Sequence, residues 1–335
     1  MEVLLEFFSR FVDQLQKPVL AFLLAGMVVS AFNSKLRIPE AIYQFCVFML
    51  LMRIGLKGGM AIRDGNFLDM LLPAIFCVLI GIGIVLLGSV TLARLPGIKK
   101  DDALATTGLF GAVSGSALAV SMLTLESEGI FFEGWVPALY PFMDIPALIT
   151  AIILANIHLA KQKSGSHVKV DIMPIIKDCL RGTALTVLII GVVLGLVTKP
   201  DSVYESFFNP LFRGFLSILM LVSGMEAYSR LRELKGVAHW YITYAFLGPL
   251  IHGLIGFGFG YIAHLLVGLS PGGVIMLAII ASSNSDISGP PTVRAGIPSA
   301  NPSVYHGTST GLGTVAVIAL YVPFFLALGG IVFGF

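Results

Sequence analysis

Charge is scarce in this sequence: Asp, Glu, Lys and Arg make up 12% of its 335 residues, against roughly 25% in an ordinary soluble domain. A water-soluble fold is hard to reconcile with so little polar surface. Cysteine is rarer still. Cys46, Cys77 and Cys179 lie far apart in or beside apolar stretches, without metal-ligand spacing, and read as packing residues. Segments of about ten residues that alternate apolar and polar are missing, which argues against a membrane barrel. Basic and acidic residues nearly cancel, 21 against 19, and a net charge of +2 implies no nucleic-acid partner. Basic residues are also absent where a secretory signal would begin; Glu2 and Glu6 stand there, so the start of the chain is expected to be retained.

What the sequence does have is long hydrophobic runs. Hydrophobic residues make up 56% of the chain, and they gather into runs of about 17 to 30, enough to cross a hydrocarbon core of roughly 30 Å as helices. Ten runs lie near 18–34, 38–56, 70–94, 103–123, 135–160, 172–198, 208–226, 238–268, 273–298 and 303–333. Backbone polar groups inside a membrane must be satisfied within the protein. The expected fold is therefore an all-α polytopic membrane protein with ten transmembrane helices. Ahead of the first run, residues 1–17 place Leu4, Phe8, Phe11 and Leu15 on one helical face, with Glu6, Arg10 and Asp13 elsewhere. Such an amphipathic segment suits membrane lipid or a neighbouring subunit equally well.

Ten crossings return both termini to one side. About two thirds of the Lys and Arg residues, among them Lys35, Arg37, Lys99, Lys100, Arg230 and Arg294, then fall on the opposite side, which the positive-inside rule makes cytoplasmic. The expected setting is the plasma (inner) membrane, with the termini external. The most polar stretch, near 160–172, includes Lys161, Lys163 and Lys169, which satisfy the positive-inside rule without a docking partner. Residues 161–171 form a cytoplasmic linker between a first unit, 18–160, and a second, 172–335.

The two units repeat. A shift of about 169 residues lays MLLMRIGLKGG (49–59) over ILMLVSGMEAY (218–228), with Gly55 on Gly224. The same shift lays Ala112, Ser114 and Ser116 over Ala281, Ser283 and Ser285, while nearby shifts pair Gly26 with Gly191 and Pro73 with Pro249. Each unit holds five crossings, an odd number, so the second enters the membrane from the opposite face. The expected architecture is thus two inverted five-helix repeats with broken helices crossing at the midplane, where secondary carriers place their cargo.

Two polar interruptions mark those breaks. The fourth run is interrupted by Thr106, Thr107, Gly108, Gly111, Ser114, Gly115 and Ser116, and the ninth by Ser282, Ser283, Asn284, Ser285, Asp286, Ser288, Gly289, Pro290 and Pro291. Gly and paired Pro free backbone groups at membrane depth, where they persist only if they line a cavity or bind something. Freed N–H groups at a helix start suit an anion, so Gly111, Ala112, Ser114, Gly115, Ser116, Ser283, Ser285, Ser288 and Gly289 are candidate anion-binding residues. Tight packing through small residues is the competing reading of GAVSGS.

Carboxylates and hydroxyls suit a cation. Asp286 lies in the second break and Asp144 between Pro141 and Pro146 in YPFMDIPAL, neither with a nearby Lys or Arg in sequence. A carboxylate inside a span is costly and is usually neutralised by a cation or a proton; sodium is favoured over a structural hydrogen bond. Thr107, Ser309 and Thr310 are candidate hydroxyl ligands, although each also suits a bond back to its own helix. Asn301, in a Pro-bracketed loop, reads as a turn residue. Histidines 158, 239, 252, 264 and 306 show no repeated spacing. An intramembrane Ser/His hydrolase built from Ser114 and His252 is an alternative, but Ser114 stands in neither a G-x-S-G nor a G-x-S-x-G motif. An anion channel or receptor on the same fold is a further one.

At these residues the chain resembles the sodium-dependent bicarbonate transporters of cyanobacteria, the SbtA family. GLFGAVSGS, ALYPFMDIPAL, FNPLFRGFLSILML and DISGPPTVRAGIPSANPS carry the resemblance, which extends over nearly the whole chain. It implies a core domain moving against a gate domain, a homotrimer, and uptake of bicarbonate driven by co-transported sodium. It places both ions at the two breaks, with Asp144 near the sodium ion, and implies a cytoplasmic PII-like regulatory partner. The middle loop is shorter than that of familiar members.

Overall fold

The computed structural model describes residues 18–65, 67–164, 181–233, 238–286 and 289–334, together with Met173 and Lys177. The amphipathic segment 1–17, most of the linker and Ser288 lie outside the described residues. Within them, all regular structure is helical. In chain order come α1 (Pro18–Ala31), α2 (Glu40–Asp64), α3 (Phe67–Val90), α4 (Lys100–Gly111), α5 (Gly115–Ser127) and α6 (Tyr140–Ser164). There follow α7 (Thr183–Val197), α8 (Asn209–Glu233), α9 (Ala238–Val267), α10 (Pro271–Ser282) and α11 (Gly289–Gly296). The last, α12, is a composite helix over Pro302–Phe333 with π-helical stretches at Gly307–Gly313 and Val317–Tyr321.

Seven of these stretches are long and apolar enough to cross a membrane, α4 and α5 counting together as one. Three shorter apolar helices, Leu20–Ala31, Thr183–Val197 and Pro271–Ser282, fall on the first, sixth and ninth of the expected crossings. The ninth run is not one continuous helix. The 12 residues of α10 rise only about 18 Å, well short of a hydrocarbon core, before the chain leaves helical geometry at Ser283 and resumes at Gly289. The fourth run behaves alike, with a gap between Gly111 and Gly115.

The helices pack in two groups. In one, α2 lies along α7, and α8 along α1 and α2; in the other, α3, α4 and α6 pack together, α9 lies along α10, α12 packs on α9 and α10, and α5 packs on α10 and α12. The two groups meet where α12 lies on α8 and where α5 reaches α2 and α8. Small residues let the first group close up. A Cβ on Gly55 would stand 2.6 Å from the Leu188 carbonyl oxygen, and one on Gly59 or Gly195 would strike the facing backbone. The α1–α8 crossing is equally close, since Cβ atoms on Gly26 and Gly224 would collide with the carbonyls of Leu221 and Leu23. In a membrane, where lipid is as apolar as the side chains, such backbone approach is what drives helix association.

Candidate functional site

The two gaps meet. After Gly111 the chain runs extended through Ala112 (φ −88°, ψ 173°), and Ser114 caps α5 by accepting the Ala117 N–H at 3.0 Å. On the other side Ser283 is extended (φ −74°, ψ 172°). The Ser114 N–H donates to Ser283 Oγ at 3.1 Å, and the Ser285 N–H to the Leu109 carbonyl at 2.8 Å. Each break thus supplies partners for the backbone groups that the other has freed. Ala112, Ser114, Ser116, Ser283, Asn284 and Ser285 are all buried. Gly111 and Gly108 bring α4 against Ala147 and Ala151 of α6, where a Cβ would come within 2.9 and 2.6 Å of the alanine methyls. Gly115 faces Leu51 of α2.

Both carboxylates engage the first break. Asp286 Oδ2 accepts the Ser114 hydroxyl at 3.0 Å and also that of Ser116, and the two serine oxygens lie 2.9 Å apart. A carboxylate here sits at the positive end of α5. Its Oδ1 has no hydrogen-bond partner among the described residues. Asp144 is 2% exposed, and its Oδ1 accepts the Val113 N–H at 3.0 Å, so α6 holds the extended turn in place.

The π-helical opening of α12 brings its hydroxyls toward the second break. Ser309 donates to the Ser285 carbonyl at 3.1 Å. Thr310 is buried with its Oγ1 unpartnered among the described residues. Gly289 N–H donates to Ser285 Oγ at 2.8 Å. Thr107 stands apart: its hydroxyl bonds back to Leu104 at 3.2 Å, and its side chain packs where a Cβ on Gly88 would lie. A residue outside the sequence-based candidates joins the site. Asn284 donates through Nδ2 to Thr314 Oγ1 at 2.9 Å and Ser309 Oγ at 3.3 Å, leaving Oδ1 buried and without a partner among the described residues. An amide in the polar stretch SSNSD, just past the apolar residues of α10, was the available signal; the π-helix that reaches it leaves none in GTSTGLG.

Among the described residues hydrolytic chemistry finds no framework. His252 Nδ1 has no partner among the described residues, its ring lies beside Tyr244, and the Ser114 hydroxyl is taken by Asp286. Two other strings, Gly268–Gly272 and Gly307–Gly311, do spell G-x-S-x-G. A nucleophile elbow needs a strand-to-helix turn, whereas Ser270 caps α10 by accepting the Gly273 N–H at 3.0 Å and Ser309 lies within a π-helix. Among the described residues no three His, Cys, Asp or Glu side chains converge as metal ligands. Asn301 caps the first turn of α12, its Oδ1 accepting from Ser303 N–H at 3.1 Å.

No curated protein matches the chain closely. A family model does, over residues 18–329, which takes in both breaks, Asp144, Asp286 and almost all of α12. On that match the chain belongs to the Na+-dependent bicarbonate transporter superfamily.

Proposed function

We propose that this multi-pass membrane protein is a symporter that carries bicarbonate into the cell together with sodium, by alternating access in which the group holding the breaks moves against the α1, α2, α7 and α8 group. Membership of a transporter family points to a non-enzyme and to sodium as the co-transported ion. The observation that carries the reading is the meeting of two interrupted helices, with buried hydroxyls, freed N–H groups and an aspartate at one point. Neutral donors at a helix start suit a weakly basic monovalent anion. Among the described residues Asp286 Oδ1, Asn284 Oδ1 and Thr310 Oγ1 are unpartnered oxygens suited to a hard monovalent cation, and the buried Asp144 bonds the first break at Val113.

Contact pairs support two inverted repeats. Gly26 meets α8 near Gly224, and Gly191 meets Gly55; shifts near 169 residues exchange these two crossings. Asp102, at the start of α4, accepts the Asn301 N–H at 2.7 Å, and Glu133 accepts the Ser270 N–H, at the start of α10, at 2.6 Å. The same shift carries each pair to within one residue of the other. Broken helices related in this way are the usual carrier site.

Coupling has an energetic reason. Moving one negative charge inward against about 100 mV costs about 2.3 kcal/mol, and one sodium travelling with it cancels that cost. At least one sodium per bicarbonate follows. A homotrimer in the inner membrane with external termini, and a cytoplasmic PII-like regulator, complete the proposal on the strength of the resemblance. The test is reciprocal flux in proteoliposomes: labelled sodium influx is expected to rise with external bicarbonate, and influx indifferent to bicarbonate would refute symport.

A further inference from the structure

A cluster of charged side chains away from the breaks joins the two groups of helices. Arg53, in the middle of α2, is 2% exposed. Its Nη2 donates to Asn209 Oδ1 at 3.0 Å and to Glu126 Oε1 at 3.4 Å. The guanidinium carbon lies 4.1 Å from the centre of the Phe212 ring. One turn further along α2, Lys57 donates to the same Glu126 oxygen at 2.7 Å and reaches over the Phe132 ring at 5.0 Å. Arg53, Lys57, Asn209 and Phe212 belong to α2 and α8. Glu126 belongs to α5, the helix that begins at the first break.

That division gives the cluster a meaning beyond stability. A guanidinium at this depth is costly unless partnered, and Nε and Nη1 have no hydrogen-bond partner among the described residues. Glu126 therefore supplies the opposite charge, with Asn209 as a neutral acceptor. The far end of α5 carries Ser114 and Ser116, whose hydroxyls bond Asp286. A rigid 13-residue helix thus has the proposed cargo site at one end and an ion pair to the other group at its opposite end. Any sliding of α5 along α2 must break the Glu126 contacts with Arg53 and Lys57.

We infer that Arg53, Lys57 and Glu126 form a charge latch that holds α4 and α5 in register with α2 and α8, and that the latch opens once in each transport cycle. The three are positioning residues for the transport step, because none of them touches the site. The inference rests on the two-group movement proposed above. It predicts that removing the negative charge changes how the conformations are populated and how fast the carrier turns over, while leaving cargo affinity nearly intact.

The test uses the full chain in lipid nanodiscs, with its three cysteines replaced by alanine and spin labels at Ser127→Cys and Ser202→Cys, two exposed positions on either side of the latch. Distances are measured with and without sodium and bicarbonate, and uptake kinetics are followed in proteoliposomes. Glu126→Gln keeps shape and removes charge; it is expected to shift the ratio of the two distance populations about tenfold away from the latched state. Its Vmax should change at least about threefold, with KM for bicarbonate held within about twofold. Glu126→Asp, which keeps the charge, should recover most of the shift. An unchanged ratio in Glu126→Gln, while the wild type still switches with cargo, overturns the latch alone. Equal shifts in both variants also overturn it, since packing rather than charge is then responsible. A wild-type distance that never responds to cargo overturns the two-group movement and the latch together.

Discussion

Asp286 Oδ2 accepts the Ser114 hydroxyl at 3.0 Å, so a carboxylate from the second break occupies the start of the helix that follows the first. In the proposed symport an incoming anion would need the same hydroxyl and the same positive helix end. A cation beside Asp286 would relieve that competition by neutralising the carboxylate, which would tie anion binding to sodium. Asp286→Asn keeps the shape and removes the charge; bicarbonate uptake is expected to fall at least about tenfold and to lose its dependence on external sodium. Asp144→Asn should also impair uptake severely: it keeps an oxygen able to accept the Val113 N–H, as Oδ1 does at 3.0 Å, and removes the buried charge that would compensate a cation. Undiminished sodium dependence in both variants would sink the assignment.

Anion recognition is expected to need no basic side chain. Arg294, the nearest in sequence to the second break, is exposed in the last turn of α11. Ser114→Val and Ser285→Val should abolish uptake, whereas Arg294→Gln should keep measurable bicarbonate binding. Neutral donors also favour a monovalent anion over a dianion, for which arginine is the usual partner. Carbonate outcompeting bicarbonate in a binding assay would contradict this.

Helix crossings in the α1, α2, α7 and α8 group depend on absent side chains. Gly224→Val drives a branched side chain into the Leu23 carbonyl, and overpacking of this kind costs about 1–3 kcal/mol or more. Thermal melting in detergent should show a lowered midpoint for Gly224→Val and Gly195→Val. By contrast, Gly83→Ala meets nothing within 4 Å and should melt as the wild type does.

Assembly is expected to be trimeric, with residues 1–17 and the α1, α2, α7 and α8 group at the contacts. Native mass spectrometry from mild detergent or lipid should give three chains per particle; a monomer would count against it.

The helical membrane fold and the two interruptions were legible because hydrophobic runs and Gly/Ser/Pro breaks are local signals. The break at Gly111–Ser116 could be placed to within a residue or two because Gly, Ser and the N-cap preference of Ser114 act within one turn. The meeting of Ser114 with Ser283 followed only from the repeat, a long-range regularity. What escaped was the third dimension of α12. A π-helix inserts an extra residue per turn, which turns Ser309 toward Ser285 and brings Thr314 to Asn284. Nothing in GTSTGLG marks that widening, so Thr107, one turn before the break, was as good a hydroxyl as Thr310 on sequence grounds. The Arg53–Glu126 pair was equally hidden, its partners 73 residues apart with no motif around either.

Uptake of labelled bicarbonate into proteoliposomes, with and without an inward sodium gradient, tests the central claim most directly. The account predicts saturable accumulation that requires sodium outside and collapses when the gradient is dissipated. Accumulation at the same rate with potassium replacing sodium, or none under a steep sodium gradient with folded protein, would contradict it.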